Sequence, residues 1–220
     1  GTFPNTGLYM DGAQDVVIER NTIHDFTRYG IVISAEDGTF QTDRIIVRFN
    51  VTYSNPVNID CGGFNGRVLS ARCVHNTSYN APISTLFNAF GVDVIWKNNI
   101  SYAVSGQHHF THYLSPTDSP QSNFNLFWPD AFFQYKGVEY FSFSSYKSST
   151  GQDANSLLTD PLFTPGALTL QSTSPAIHSG TPLTRTSSAG SRTLLPVLAP
   201  HYFSNGYGLT AGDTIQVGTS

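Results

Sequence analysis

Two aspartates end short runs in which apolar and polar residues alternate. Asp11 closes "GLYMD" (7–11) and Asp60 closes "PVNID" (56–60). Aligning these runs with "GIVIS" (30–34) puts Asp11, Ser34 and Asp60 in one outward column, with the carboxylates two strand spacings, or roughly 9 to 10 Å, apart. An inverting glycosidase uses two carboxyl groups near this separation, one to protonate the leaving oxygen and one to activate water. Acidic residues at strand ends also form turns, so a structural interpretation stands beside the catalytic one.

The same alternation turns other side chains outward, where they could bind a substrate. It predicts that Tyr9 and Asn58 point out, and an exposed tyrosine ring can stack on a sugar. Arg28, Arg67 and Arg72 could supply positive charge to an acidic sugar. We therefore predict a substrate-binding set that contains Tyr9, Asn58, Arg28 and Arg67.

A histidine-rich segment offers a different chemistry. "SGQHHFTHY" contains His108, His109 and Tyr113. A histidine and a tyrosine could act as base and acid in β-elimination from a uronate, where a base removes the proton α to the carboxylate. Histidines in an irregular loop are more often polar surface residues, and that interpretation also stays open.

Two adjacent carboxylates suggest a cation site. Glu36 and Asp37 lie in "SAEDGTF", and carboxylate oxygens on a turn could bind Ca²⁺. Two carboxylates alone do not make a site, and an Asp-Gly turn explains the same residues. The sequence contains no Gly-rich phosphate cradle, nucleophile elbow or zinc signature, so no other cofactor is predicted.

A repeat must position these residues. "DVVIERNTIHDF" reappears as "DRIIVRFNVTYSN", "ARCVHNTSYN" and "VDVIWKNNISYA", each with a β-branched run, an asparagine and a second apolar run. A fainter copy is "QSNFNLFW", and the repeated asparagines are Asn21, Asn50, Asn76, Asn99 and Asn125. If each repeat is one turn of a coil, strands of successive repeats stack about 4.8 Å apart as parallel sheets around an apolar core. The repeat therefore predicts an all-β parallel β-helix, a solenoid, held by an internal asparagine ladder.

Composition limits the classes of partner. Only 12% of the 220 residues are charged and the net charge is −4, so the basic stripe that nucleic acid requires is missing. No segment approaches the roughly 18 uninterrupted apolar residues of a membrane span. Nucleic acid and a membrane span are therefore not expected.

Cysteines and sequons leave alternatives open. Cys61 and Cys73 could form one bridge or remain two buried thiols. Asn50, Asn76 and Asn99 lie in N-x-S/T sequons, but ladder asparagines point inward and a glycosylation site needs an exposed side chain. Glycosylation is therefore the less favoured interpretation.

The repeat "VIERNTIHDF…YGIVISAE…TDRIIVRFNVTYSN" and the closing "DPLF…SPAI…G" pattern carry a family resemblance. Over residues from about 7 to 180 the chain resembles right-handed parallel β-helix repeat proteins of the pectate-lyase-like superfamily, mostly secreted bacterial proteins. The resemblance implies a secreted or cell-surface location and a ligand along one sheet. Members include lyases, hydrolases, epimerases and proteins without known activity, so it implies architecture more firmly than chemistry.

We expect three segments. Residues 1–180 form the β-helix with its C-terminal cap, residues 181–193 a linker or loop, and residues 194–220 a small β module. The last module stops where its final hairpin is expected, which suggests a natural chain that is longer at both ends.

Two functional hypotheses follow. The favoured one is a secreted protein that engages a polysaccharide, as a glycoside hydrolase or a polysaccharide lyase. The alternative is a non-catalytic surface module, adhesin-like or filament-forming, whose coils form a rigid spacer and self-associate.

Overall fold

The structure, a computed structural model, describes residues 5–36, 41–63, 67–104, 106–113, 120–191, 193–215 and 217. The chain divides into two compact units, Gly1–Thr181 and Pro182–Ser220. The first unit is a parallel β-solenoid, so the all-β solenoid expected from the repeat is confirmed.

Each coil of the solenoid has three short strands, one for each of three sheets. The first two coils contain β1 (Thr6–Asp11), β2 (Gln14–Glu19), β3 (Thr22–His24), β4 (Tyr29–Ser34), β5 (Asp43–Arg48) and β6 (Val51–Tyr53). The next two contain β7 (Val57–Asp60), β8 (Val68–Val74), β9 (Thr77–Tyr79), β10 (Ser84–Asn88), β11 (Gly91–Lys97) and β12 (Ile100–Tyr102). The remaining elements of this unit are β13 (His108–His112), β14 (Gln121–Asn123), β15 (Leu126–Trp128), β16 (Phe132–Tyr135), β17 (Val138–Tyr140), α1 (Phe143–Thr150) and β18 (Leu157–Leu158).

Every third strand joins the same sheet. The first sheet has the order β1-β4-β7-β10-β13-β16-β17, the second β14-β11-β8-β5-β2, and the third β18-β15-β12-β9-β6-β3. These neighbours pair in parallel, except that β17 runs antiparallel to β16. One side chain per coil therefore repeats at each position of a sheet, which is the property that builds ladders.

The core is a column of stacked apolar side chains. Ile31, Ile59, Leu86, Phe110 and Phe133 occupy equivalent positions in successive strands of the first sheet, and each is at most 1% exposed. Fully burying such a side chain contributes about 2 kcal/mol. The side chains grow from isoleucine to phenylalanine along the column, and the aromatic end packs against Tyr146 of α1.

The repeated asparagines form the expected ladder at the corner between the second and third sheets. The side-chain oxygen of each one accepts from both the backbone N–H and the side-chain amide of the preceding one, at 2.9–3.1 Å. The members are Asn21, Asn50, Asn76, Asn99 and Asn125. The sequon asparagines are 1% exposed, which confirms that they point inward.

A left-handed residue makes this corner. The residue before each ladder asparagine has φ between 55° and 58°, and these residues are Arg20, Phe49, His75, Asn98 and Phe124. A single residue in this conformation bends the chain at the corner, and non-glycine residues adopt it rarely. The ladder bonds at the corner offset that local cost.

A helix and a buried aspartate follow the last three-strand coil. Ser142 caps α1 by accepting from the backbone N–H of Ser145, and the cap residue Gly151 has φ 71°. Asp153 is fully buried and accepts hydrogen bonds from Tyr146, Ser156 and Asn125. Burial raises the pKa of Asp153, and its contact with Asn125 ends the ladder. The all-β expectation did not include this helix.

The second unit is described by itself. It contains an antiparallel bridge between Thr186 and Val197 and short 3₁₀ helices at Pro200–Tyr202 and Gly206–Gly208. Within the described part of the chain, no helix is long and apolar enough to cross a membrane.

Cys61 and Cys73 form a disulfide, which settles the alternative left open by their spacing. Both cysteines are buried in the main core, and 12 positions separate them in the sequence. Closing a loop of this length lowers the entropy of the unfolded chain and so stabilises the folded protein by about 3 kcal/mol.

We expect the Cys61→Ala/Cys73→Ala double variant to lose about this much free energy of unfolding. Urea denaturation with and without reductant measures it, and a wild-type midpoint unaffected by reductant would contradict the prediction.

Candidate functional site

The register of the first sheet differs from the expected one. Tyr9, Val32, Asp60 and Phe87 share one outward column, whereas Asp11 pairs with Ser34 in another. Asp60 pairs with Val32 rather than with Ser34, so the register of β7 is shifted by two residues from the expected one. The prediction that Asp11, Ser34 and Asp60 form one column is therefore wrong.

The cause is a break in alternation at the start of β7. Val57 packs in the outer apolar cluster, and Asn58 and Ile59 both point inward. Asn58 is fully buried, and its amide donates to Ser78 and to the backbone oxygen of Tyr79. The outward orientation expected for Asn58 is therefore wrong. Asn58 therefore joins an interior hydrogen-bond network and cannot bind substrate on the outer face.

Tyr9, Asp11 and Glu36 come together beside the outer face of the first sheet. The backbone N–H of Glu36 donates to Oδ1 of Asp11 at 2.7 Å. The Tyr9 hydroxyl donates to the Glu36 carboxylate and accepts from Ser34. Burial, followed by the negative charges of Asp11 and Glu36, raises the pKa of Tyr9 to about 12. Tyr9 thus remains a neutral hydrogen-bond donor, and Asp11 is exposed.

Asp60 is an enclosed carboxyl group. Its Oδ1 accepts from the backbone N–H groups of Gly62 and Gly63 at 2.8 and 3.1 Å. Its Oδ2 has no hydrogen-bond partner among the described residues. Burial raises the pKa of Asp60 to about 7, although the amides of Gly62, Gly63 and Ala89 oppose the shift. Near neutral pH, Asp60 therefore carries a proton part of the time.

Tyr29 connects Asp60 electrostatically with Arg28. Burial and then the negative charge of Asp60 raise the pKa of Tyr29 to about 12, while Arg28 opposes the shift through its charge and a hydrogen bond. The Arg28 guanidinium lies 5.4 Å from the centre of the Tyr29 ring and is itself exposed. We call these six residues the first-sheet cluster: Tyr9, Asp11, Arg28, Tyr29, Glu36 and Asp60.

The histidine segment does not join the first-sheet cluster. His109 is fully buried between Phe127 and Phe133, and its Nε2 lies 2.6 Å from the backbone oxygen of Pro129. A carbonyl oxygen can only accept, so Nε2 carries the proton and Nδ1 accepts from Ser101 at 2.7 Å. Burial lowers the pKa of His109 to about 4. His109 is a neutral core residue, and the interpretation of it as a loop residue is wrong.

The other residues proposed for elimination lie apart from one another. His108 lies on β13, two strands along the first sheet from the strand that carries Asp60. Its Nε2 lies 2.9 Å from the Glu139 carboxylate. Tyr113 follows β13 and is exposed. Arg67 is exposed immediately before β8 of the second sheet. Arg72 lies on β8, where its guanidinium contacts the Asp93 carboxylate at 2.6 Å.

One member of the predicted cation pair lies within the described residues. Glu36 is half-buried and belongs to the first-sheet cluster, whereas Asp37 lies outside the described residues. Among the residues that the structure describes, no three histidine, cysteine, aspartate or glutamate side chains are arranged to hold a metal ion.

Sequence reasoning missed a second feature, on the third sheet. The third residue after each ladder asparagine is aromatic or histidine, and these residues are His24, Tyr53, Tyr79, Tyr102 and Trp128. The signal was present in "NTIH", "NVTY", "NTSY", "NISY" and "NLFW".

These observations define a parallel β-solenoid with a polar cluster on its first sheet. No described protein family matches the sequence. The chain is 27% identical over 171 residues to YwoF of Bacillus subtilis (strain 168), which is described as an uncharacterized protein. The match covers 71% of this chain and 36% of that relative, so the chain spans about a third of the relative's length. No solved structure matches the chain.

Proposed function

We propose that this protein engages a polysaccharide on the outer face of its first sheet and hydrolyses it there. The supporting observation is the first-sheet cluster, in which Asp11 and Glu36 present neighbouring carboxyl groups beside Tyr9. Glycoside hydrolysis needs a pair of carboxyl groups, and a tyrosine ring beside them can contact a sugar.

The charges of the first-sheet cluster favour hydrolysis over elimination. Elimination from a uronate needs a cation to neutralise the substrate carboxylate and a base beside it. The cluster contains three carboxyl groups and one guanidinium, that of Arg28. His108 and Tyr113 lie farther along the sheet and make no described contact with it. A lyase is therefore the less supported of the two enzyme classes.

The proposal gives the carboxyl groups separate roles. Glu36, oriented by the Tyr9 hydroxyl, activates water, and Asp11, which is exposed, protonates the leaving oxygen. Asp60 is enclosed and does not touch the substrate. It acts as a positioning residue, because its charge is felt at Tyr29 of the first-sheet cluster.

A secreted or cell-surface location belongs to the same proposal. The Cys61–Cys73 disulfide supports it, since disulfides persist mainly in oxidising compartments.

Activity measurements test the proposed hydrolase. We expect the purified chain to release reducing ends from one member of a panel of neutral, uronic-acid and sulfated polysaccharides. Glu36→Gln keeps the size of the side chain and removes the carboxylate, so we expect a loss of about 10²- to 10⁴-fold. Glu139→Gln is the matched control, because Glu139 lies on β17 at the other end of the first sheet. Equal rates for the two variants would exclude Glu36 from the mechanism.

The continuous asparagine ladder favours a second candidate, a non-catalytic surface module, because a ladder that links successive coils suits a rigid spacer. Failure of the folded chain to release ends from any polysaccharide would favour this alternative. Self-association detected by sedimentation would then support a filament-forming role.

A further inference from the structure

The outer face of the third sheet carries a continuous column of rings. His24 and Tyr53 stack with ring centres 4.5 Å apart and planes within 8° of parallel. Tyr79 and Tyr102 follow in register, with ring centres 4.8 Å apart. Trp128 continues the column. The parallel register thus produces an aromatic strip along the solenoid, which we call the third-sheet strip.

A hairpin from the closing segment stands over this strip. Phe163 and Leu170 form an antiparallel bridge, and the backbone N–H of Thr164 donates to Thr169 at 2.8 Å. The Phe163 ring lies 6.4 Å from Tyr79 and 6.1 Å from Tyr102. The hairpin is therefore held against the middle of the third-sheet strip by ring contacts.

A cavity of about 770 Å³ lies between the hairpin and the sheet. On the sheet side it is lined by Thr22, Val51 and the tyrosines Tyr53, Tyr79 and Tyr102. The hairpin side contributes Phe163 and the polar side chains of Asp160 and Gln171. This size falls within the range of small-molecule sites, and the lining combines flat apolar faces with a few polar groups.

The charge of the lining selects the class of ligand. Asp160 is the ionisable carboxylate of the lining, and no lysine or arginine is among its described residues. Asp160 contributes, after burial and Tyr79, to raising the pKa of Tyr102, so its negative charge reaches the tyrosines. An anionic sugar would be repelled by the Asp160 carboxylate, because no lysine or arginine of the described lining neutralises its charge. The C–H groups of a neutral sugar can pack against the tyrosine rings while its hydroxyl groups bond to the polar side chains.

We propose that this cavity is a binding site for a neutral oligosaccharide, or for a segment of a neutral polysaccharide. The ring spacing of the third-sheet strip follows the strand spacing, so successive sugar units can contact successive tyrosines that line the cavity. The site lies on a different sheet from the first-sheet cluster and requires no catalysis. The proposal is therefore independent of the proposed hydrolase.

Calorimetric titration with neutral and uronic-acid oligosaccharides of increasing length tests this site. We expect binding of at least one neutral series and no binding of uronic-acid oligosaccharides at this site. Tyr53→Ala should weaken binding about tenfold, because Tyr53 lines the cavity without supporting Phe163. Phe141→Ala is the matched control, since Phe141 is 73% exposed and lies outside the cavity.

Two design features keep the outcomes distinct. Titrations are repeated in the Glu36→Gln background, so that turnover at the first-sheet cluster does not affect the heat measured. Thermal melts establish that Tyr53→Ala is folded. Unchanged affinity in folded Tyr53→Ala, preference for uronic-acid ligands, or absence of binding to every neutral series would each overturn the proposal.

Discussion

Replacing the central ladder asparagine, Asn76→Ala, is expected to lower the free energy of unfolding by about 4 kcal/mol. The Asn76 side-chain oxygen accepts from the backbone N–H and the side-chain amide of Asn50, and its own amide donates to Val47 and Asn99. Alanine leaves these groups buried, and each unsatisfied group costs about 1 to 3 kcal/mol. Urea denaturation of the two proteins measures the difference.

Asn155→Ala provides the comparison for this variant. Asn155 is exposed in the same unit, and only its backbone N–H makes a described hydrogen bond, to Asn123. We expect this change to stay within about 0.5 kcal/mol of the wild type. Asn76→Asp separates the accepting role of the side chain from its donating role, because a carboxylate keeps the accepting oxygen and lacks the donating amide. If Asn76→Ala loses no more stability than Asn155→Ala, the ladder does not stabilise the solenoid.

The ladder could be predicted from sequence because its signal is local. Each asparagine follows a β-branched run at a fixed position, so the neighbours in sequence define the corner. The residue before it varies from arginine to phenylalanine, and the shared left-handed conformation of Arg20, Phe49 and His75 could not be predicted from residue type. That conformation is imposed by the coil, in which the strands on both sides are already paired.

The register of the first sheet and the burial of individual polar side chains were harder to predict from the sequence. The column assigned to Asp60 was displaced because Asn58 turns into the interior, where it meets Ser78, a residue 20 positions away. His109 looked like part of a polar loop, but its partners are Ser101 on β12, eight positions away, and Pro129 after β15, 20 positions away. Both errors concern polar residues whose hydrogen-bond partners are distant in sequence. Hydrophobic periodicity carries no information about such pairs.

The first-sheet cluster combines predicted and unexpected members. Tyr9, Asp11 and Arg28 were expected on an outer surface, and they lie there. Glu36 was assigned to a cation site because it precedes another carboxylate, but its contact is the Tyr9 hydroxyl. The enclosure of Asp60 depends on the packing of the outer face, since its column neighbours are Val32 and Phe87. No local pattern in "PVNID" indicates that enclosure.

Asp60→Asn is expected to be more stable than the wild type at neutral pH. The folded-state pKa of Asp60 is about 7, compared with 3.8 for an ordinary aspartate. Between about pH 4 and pH 7 the folded protein therefore holds a proton that the unfolded chain has released. Stability from this group falls as the pH rises through that window, by about 4 kcal/mol at most. Asparagine keeps an oxygen to accept from Gly62 and Gly63 and does not titrate.

The measurement is the difference in unfolding free energy between Asp60→Asn and the wild type, taken from pH 4 to pH 8 by urea denaturation. His109, with its pKa lowered to about 4, makes stability rise with pH between about 4 and 6.5, the opposite direction. Asp153 adds a slope of the same sign as Asp60. Both groups are present in the two proteins, so their contributions cancel in the difference. We expect that difference to grow in favour of the variant up to about pH 7 and then to level off. A difference that stays constant across the range would mean that Asp60 ionises as an ordinary aspartate and that burial does not raise its pKa.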